Sequence, residues 1–395
     1  MSPPAEPRAL EALARDLLGP LLDLDVPSRT GWTLVGWDAE AGVSLTLGKG
    51  DRLLLVEIEP RDDARACLAR TERFNVCARR AFRGDEPLDD EERRVVGQIA
   101  RLLRARADLL PVVERPPTTH RTEVREVTVD RVLVPEGAGH YYVNPYTGCM
   151  IGCAFCYVAH RADLSRALEA RPALPWGRYV DVKINAADVL RREVARRPPG
   201  IVRLSPIVTD PYQPLERRYR ITRQCLEVLA GAGFTPGVLT RAARVVDDLP
   251  LLARIPGAAV GLSIPTDDDR VRRMFEPGAD PIEERLDALE RCHRAGVLTF
   301  GVVQPMLPMD PDRLVAAMAP FVRCVRIDRM HEMARARPLY AQAGRLDAAE
   351  DAYFERTAAR LVAGFAARGV QVDALDDLGA LVSGARPGVA RSPVS

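Results

Sequence analysis

Between residues 31 and 60 the stretch GWTLVGWDAEAGVSLTLGKGDRLLLVEIEP alternates apolar and polar positions in three runs, broken by DAEAG and GKGD. A period of two is that of strands with one buried face, and the breaks are turn sequences. The pattern predicts an antiparallel meander with two hairpin turns. Residues 8–18 read as a short helix, and 62–82 and 89–109 as two longer ones. The last opens with DDEE, whose carboxylates suit the positive end of a helix. Trp32 and Trp37 flank the first hairpin and read as core. Residues 111–122 (PVVERPPTTHRT) are polar and proline-rich. These patterns predict a small α+β domain at 1–115 with no recognisable chemistry, then a linker and lead-in strand at 116–135.

Beyond the linker the rhythm changes. Short apolar runs rich in β-branched residues fall at 140–144, 178–184, 201–208, 236–241, 258–264, 298–304 and 323–328, with amphipathic segments between them. ITRQCLEVLAGAG (221–233) ends in glycine, as a helix C-terminus should. PIEERLDALERCHRAG (281–296) starts with Pro281 and places Ile282, Leu286 and Leu289 on one face. Strands alternating with helices imply parallel β/α units. The expected fold is α/β, a partial (β/α)6-type barrel over 136–335. A helix and short strand (VQVDAL) within 346–383 would form a C-terminal extension over 336–395. Chemistry in such barrels sits at the C-terminal ends of the strands.

At 395 residues the chain is long enough for two domains, and 47% hydrophobic with 28% charged residues is the balance of a globular protein. A formal net charge of +1 provides no bulk field for nucleic acid or membrane. No apolar run is long enough to span a bilayer, and the opening residues lack a secretory pattern, so a cytoplasmic location is expected. Eight cysteines in such a chain do not read as a disulfide framework. Of the 56 lysine and arginine residues only Lys49 and Lys183 are lysine. A lysine kept in so arginine-rich a chain draws attention, because its ammonium is a compact point charge.

YYVNPYTGCMIGCAFCYVAH (141–160) carries Cys149, Cys153 and Cys156, spaced C-x3-C-x2-C, on a loop just after the first barrel strand. Thiolates are soft ligands that select zinc, copper(I) or iron–sulfur clusters. A cubane cluster takes four cysteines, so three leave one iron open. The competing reading is a non-enzymatic Cys3His zinc scaffold that recruits His160. Zinc ligands usually come as two separated pairs, whereas these four would crowd into twelve residues. Cys225 and Cys292 fall inside helices as buried apolar groups, and Cys67, Cys77 and Cys324 have no partner at metal spacing.

The spacing resembles the signature of the radical S-adenosylmethionine (SAM) superfamily. NPYTGCMIGCAFCYVAHR (144–161), VKINAADVLRREVAR (182–196), TDPYQPLERRYRITR (209–223) and VLTR (238–241) are similar, in that order, to motifs of its spore photoproduct lyase-like group. The resemblance covers about 125–330. It implies a [4Fe–4S] cluster on Cys149, Cys153 and Cys156, whose open iron chelates SAM. It also implies reductive cleavage to a 5′-deoxyadenosyl radical and an external one-electron donor of flavodoxin or ferredoxin type. Tyr157, Lys183, Thr209, Asp210, Arg241 and Ser263 are the positions it marks for cofactor binding. The turn-residue reading of Asp210, before Pro211, and the solvated-charge reading of Glu216 stand beside it.

One departure matters. True spore photoproduct lyases carry a hydrogen-donating cysteine just before the Ser/Thr-Asp pair, and here Ile207 and Val208 precede Thr209. The family's tyrosine relay is only partly matched, by Phe155 and Tyr157. The chain is therefore not expected to repair the thymine dimer lesion. Its substrate is not named by any motif. Arg217, Arg218, Arg220 and Arg223 keep a nucleic-acid substrate open, while the near-zero charge leans towards a peptide or small molecule.

Overall fold

The computed structural model describes residues 6–7, 30–40, 42–61, 67–71, 74–81, 87–105, 121–137, 139–205, 207–331 and 333–372. The expected helix at 8–18 and the linker at 111–120 lie outside these. The chain divides into two compact units. One comprises 1–149, 157–198 and 207–209, and the other 150–156, 199–206 and 210–395. No helix among the described residues is long and apolar enough to cross a membrane.

In the first unit the strands are β1 (Glu6–Pro7), β2 (Thr33–Asp38), β3 (Val43–Lys49), β4 (Arg52–Pro60), β5 (Ala69–Arg70), β6 (Phe74–Arg80), β7 (Glu123–Thr128), β8 (Leu133–Gly137), β9 (His140–Val143), β10 (Tyr146–Thr147) and β11 (Tyr179–Lys183). Strands β2 to β6 make an antiparallel sheet in the order β2-β3-β4-β6-β5. The meander of 31–60 is thus β2, β3 and β4. Lys49 faces Arg52 across a two-residue turn in which Gly50 takes a positive φ of 61°, which glycine adopts without strain.

Residues 62–82 depart from the helix expected there. Where described, this segment holds β5 and β6, and β6 pairs along its whole length with β4, from Leu54↔Arg80 to Pro60↔Phe74. Its apolar spacing is short enough to serve either period, and the waiting strand edge decides. Helix α1 (Asp90–Ala105) forms where DDEE announced it. Asp89 and Glu92 each accept the other's backbone N–H at 2.9 Å, a reciprocal cap. The α1 side chains Val95, Val96, Ile99 and Leu103 close over Trp32, Leu54, Val56, Phe74 and Val76. Each such buried side chain contributes roughly 1.5–3 kcal/mol. Leu164 of helix α2 (Val158–Leu168) joins this core, and Arg161 of α2 donates to Glu57 and Ser44. The meander and α2 therefore share one core.

Strand β11, expected as a barrel strand, belongs to a separate four-stranded sheet, β1-β7-β11-β10. Both its edges are taken, by β7 in parallel and by β10 in antiparallel register. Asn185, which precedes helix α3 (Ala186–Val194), both donates to and accepts from the backbone of Val129 at 2.9 Å.

The second unit carries β12 (Ile201–Leu204), β13 (Thr235–Thr240), β14 (Ala259–Ser263), β15 (Leu298–Val303), β16 (Cys324–Ile327) and β17 (Gln371–Val372). They are parallel and adjacent in sequence order. Between them run α4 (Ile221–Gly231), α5 (Asp269–Phe275), α6 (Ile282–Arg294), α7 (Pro311–Met318), α8 (Met333–Gln342) and α9 (Asp351–Ala366). Five of these parallel strands, β12 to β16, are strands expected of the barrel, while β17 comes from the segment expected as a C-terminal extension. VQVDAL supplies β17 at the sheet's edge. Strands buried on both faces read as continuous apolar runs, as AVGLS of β14 does, with every residue buried.

Candidate functional site

The cysteine loop is fixed at several points by backbone and side-chain contacts. In the first unit, Gly148 takes a φ of 85°, and a Cβ there would stand 2.4 Å from the Tyr179 carbonyl oxygen, so only glycine fits. The Gly148 carbonyl accepts from Thr209 Oγ1 at 2.7 Å. Thr209 is itself buried. The residue expected to touch a cofactor therefore holds the backbone next to Cys149. In the second unit, the Met150 N–H donates to the buried Gln213 Oε1 at 3.0 Å. Gly278 N–H donates to the Ile151 carbonyl and Ala154 N–H to the Phe275 carbonyl, both at 2.9 Å. Cys149 and Cys153 are buried and Cys156 partly so, and none is in a disulfide. Among the described residues no three His, Cys, Asp or Glu side chains stand as a preformed metal cage. The ligand expectation rests on spacing and on the charge beside Cys153.

Arg241 follows β13. Its guanidinium donates to Glu276 Oε1 at 2.5 Å and to the Gln304 carbonyl at 3.2 Å, and lies 5.7 Å over the Phe155 ring. Burial alone would weaken its basicity. The negative charges of Cys153 and Glu276 outweigh burial and hold it firmly protonated. A fixed cation beside a thiol favours the thiolate, the form that binds metal.

Asp210 is buried beneath this arginine. One oxygen accepts from Thr240 Oγ1 at 2.5 Å and Tyr212 N–H at 2.9 Å, and the other from the Arg241 N–H at 2.8 Å. Desolvation outweighs these bonds and raises its pKa. With both oxygens engaged by protein donors, Asp210 is more than a turn residue: it sets the backbone of Arg241. Ser263 ends β14 fully buried, and its hydroxyl has no hydrogen-bond partner among the described residues. A buried unsatisfied hydroxyl costs about 1–3 kcal/mol, and a polar ligand at the strand end would relieve it.

Lys183 and Tyr157, also marked by the motif, make the following contacts within the first unit. Lys183 is buried, paired with Glu40, and donates to the Asn144 carbonyl at 2.7 Å. In this structure it anchors β11 to Glu40, two residues past β2. Tyr157 is 37% exposed and its hydroxyl donates to the Ile207 carbonyl at 3.3 Å. Glu216, read as a solvated charge, is buried and accepts the N–H groups of Thr222 and Arg223 at 3.1 Å, capping α4. His160 lies in the first turn of α2, and its side chain is outside the described set.

Sequence reasoning missed several residues at the strand ends. Glu276 and Arg285 are fully buried, and Arg285 donates to Glu276 Oε2 at 2.9 Å and to the Ser263 carbonyl at 2.8 Å. Asp328, after β16, accepts from Gln304 and meets the His331 ring, both at 3.0 Å. Burial opposes its ionisation, but His331 and neighbouring donors lower its pKa overall. One signal was available. Arg285 stands in the stripe Ile282, Arg285, Leu289, Cys292, the buried face of α6.

Residues 143–319 match the Radical SAM superfamily model. An uncharacterized protein of Methanocaldococcus jannaschii is 26% identical over 183 residues, 46% of this chain and 66% of that one. An uncharacterized protein of Mycobacterium tuberculosis is 31% identical over 189 residues, 45% of this chain and 54% of that one. The Radical SAM Nalpha-GlyT isomerase of Pseudomonas phage M6 is 28% identical over 166 residues, 42% of this chain and 33% of that one. The chain thus spans less than two thirds of the length of these curated relatives. Among solved structures, spore photoproduct lyase complexed with dinucleoside spore photoproduct aligns with a TM-score of 0.44 and 16% identity, over 63% of this chain and 81% of that one. The match to the Radical SAM superfamily model takes in the whole of the C-x3-C-x2-C loop.

Proposed function

We propose that this chain is a radical SAM enzyme. Cys149, Cys153 and Cys156 hold a [4Fe–4S] cluster whose fourth iron takes SAM. The observation that carries this is the C-x3-C-x2-C loop itself, held by Thr209, Gln213, Phe275 and Gly278, with the protonated Arg241 charge favouring the Cys153 thiolate. The donor set fits: three soft ligands, with one coordination position left for a non-protein group. Bound to these three cysteines and reduced by an external one-electron donor of flavodoxin or ferredoxin type, the group would supply reductive cleavage of SAM to methionine and a 5′-deoxyadenosyl radical, able to take a hydrogen atom from the substrate.

The chain's own residues prepare that chemistry. Arg241 balances charge at the loop, and Asp210 fixes the Arg241 backbone. Ser263 offers an unsatisfied hydroxyl to the ribose or carboxylate of SAM. Thr209 holds the loop entrance and does not reach for the ligand. Nothing observed supports the zinc scaffold. With Ile207 and Val208 before Thr209, no thiol is supplied for photoproduct repair. The substrate favoured is a peptide or small molecule. Arg220 and Arg223, two of the four arginines a nucleic-acid groove would use, are committed to the buried Asp248.

Anaerobic reconstitution with iron and sulfide tests the assignment. The expected product is brown, carries about four irons per chain, and shows an electron paramagnetic resonance (EPR) signal on reduction that shifts when SAM is added. A colourless chain holding one zinc would refute it.

A further inference from the structure

Residues 275–280 (FEPGAD), between α5 and α6, form a turn with more long-range bonds than a connection needs. Phe275 and Gly278 exchange backbone hydrogen bonds with Ala154 and Ile151 of the cysteine loop. Glu276 takes Arg241 on one oxygen and Arg285 on the other. Asp280 Oδ2 accepts the Ala243 N–H at 2.7 Å, two residues past Arg241, and its carbonyl accepts from Arg285. Arg272 pairs with Asp269 and donates to the Ala279 carbonyl at 3.0 Å. A Cβ at Gly278 would stand 2.5 Å from the Met150 carbonyl oxygen and 2.8 Å from Ile151 Cα, so turn and loop touch backbone to backbone. All these residues belong to the second unit.

A buried Arg–Glu–Arg cluster is an expensive way to gain stability, since well-packed apolar residues often serve as well. What it gives is fixed geometry in three places at once. We infer that Glu276 is a positioning residue. Through the turn it opens, it sets the register of the loop Ile151–Ala154 against the end of β13, so that Arg241 stays over Phe155, between Cys153 and Cys156. This rests on the radical SAM reading above and adds to it a clasp made by a segment outside the cysteine motif. Glu276 touches neither cluster nor SAM in this role. Its effect passes through Arg241 and the loop backbone.

The test is alkylation of the full-length, metal-free, reduced chain with iodoacetamide, followed cysteine by cysteine by mass spectrometry. Gly278→Ala pushes the turn off the loop and leaves the ion cluster intact, while Glu276→Gln breaks the cluster. Both are expected to speed labelling of Cys153 at least tenfold, with Cys225 and Cys292, buried elsewhere in the unit, still labelling at the wild-type rate. Glu276→Asp, which keeps the charge, should fall between. In the reconstituted proteins the reduced EPR signal of Gly278→Ala should differ from wild type. Wild-type labelling of Cys153 in both Gly278→Ala and Glu276→Gln overturns the inference. Should Glu276→Gln expose Cys225 and Cys292 as well, it has unfolded, and Gly278→Ala alone decides. Because the labelling needs no metal, a wild-type chain that takes up no iron defeats the cluster reading separately.

Discussion

Lys183 shows how residue identity and residue role part company. Its scarcity in an arginine-rich chain and its place at the end of a strand marked it for a ligand, and in this structure its ammonium is paired with Glu40 and donates to the Asn144 carbonyl. Removing one partner of a buried pair typically costs about 3–5 kcal/mol, because the other charge is left behind. Lys183→Met is therefore expected to lower stability by about 3 kcal/mol in urea unfolding while leaving the reconstituted chain's affinity for SAM unchanged. A large loss of SAM affinity with intact stability would return Lys183 to the cofactor. Glu216 carries a parallel expectation. Glu216→Ala strips the cap from α4 and should cost about 1–2 kcal/mol with no effect on iron content. Neither role was legible in the sequence: Lys183 depends on Glu40, far off in the chain, and Glu216 on the turn that carries its carboxylate to the start of α4.

At the scale of elements, the strongly periodic segments were legible and the ambiguous ones were not. The meander, α1, α4, α6 and the strands β12 to β16 follow directly from apolar period and capping residues. The segment around β6 did not, because a strand edge offered by β4 overrode a pattern that helix and strand could share. Strand β11 was correct as a strand and misplaced as to sheet, for sheet membership is set by which edges are taken. The cysteine loop was legible because ligand spacing is local. Its supports at Gly148, Gln213 and Gly278 were not, each being a bond to the backbone of the loop. Gly148→Ala is expected to combine left-handed strain of roughly 1–2 kcal/mol with displacement of Cys149. Iron content should fall at least twofold after reconstitution, with the circular dichroism of the chain retained. Full iron content in that variant would show that the loop tolerates a shift there.

Across the molecule, the cysteines separate into two chemistries. Three lie on the loop, whereas burial pushes the Cys292 and Cys324 thiols up to about 12. Their unfolded value is near 9, so between about pH 9 and 12 the folded chain holds protons that the unfolded chain has lost. Stability is present below pH 9 and falls as pH rises through that window. Cys292→Ala should flatten this alkaline limb in unfolding curves taken from pH 8 to 11. An unchanged slope would mean that Cys292 ionises alike in both states.

The central claim concerns what the loop thiols hold and what the bound group does. The most direct measurement is formation of 5′-deoxyadenosine from SAM by the anaerobically reconstituted, dithionite-reduced chain, set beside Cys153→Ala. Wild type is expected to produce it and the variant, lacking one cluster ligand, to fall to background. Product from neither protein, from a wild type that carries its iron, would contradict the account.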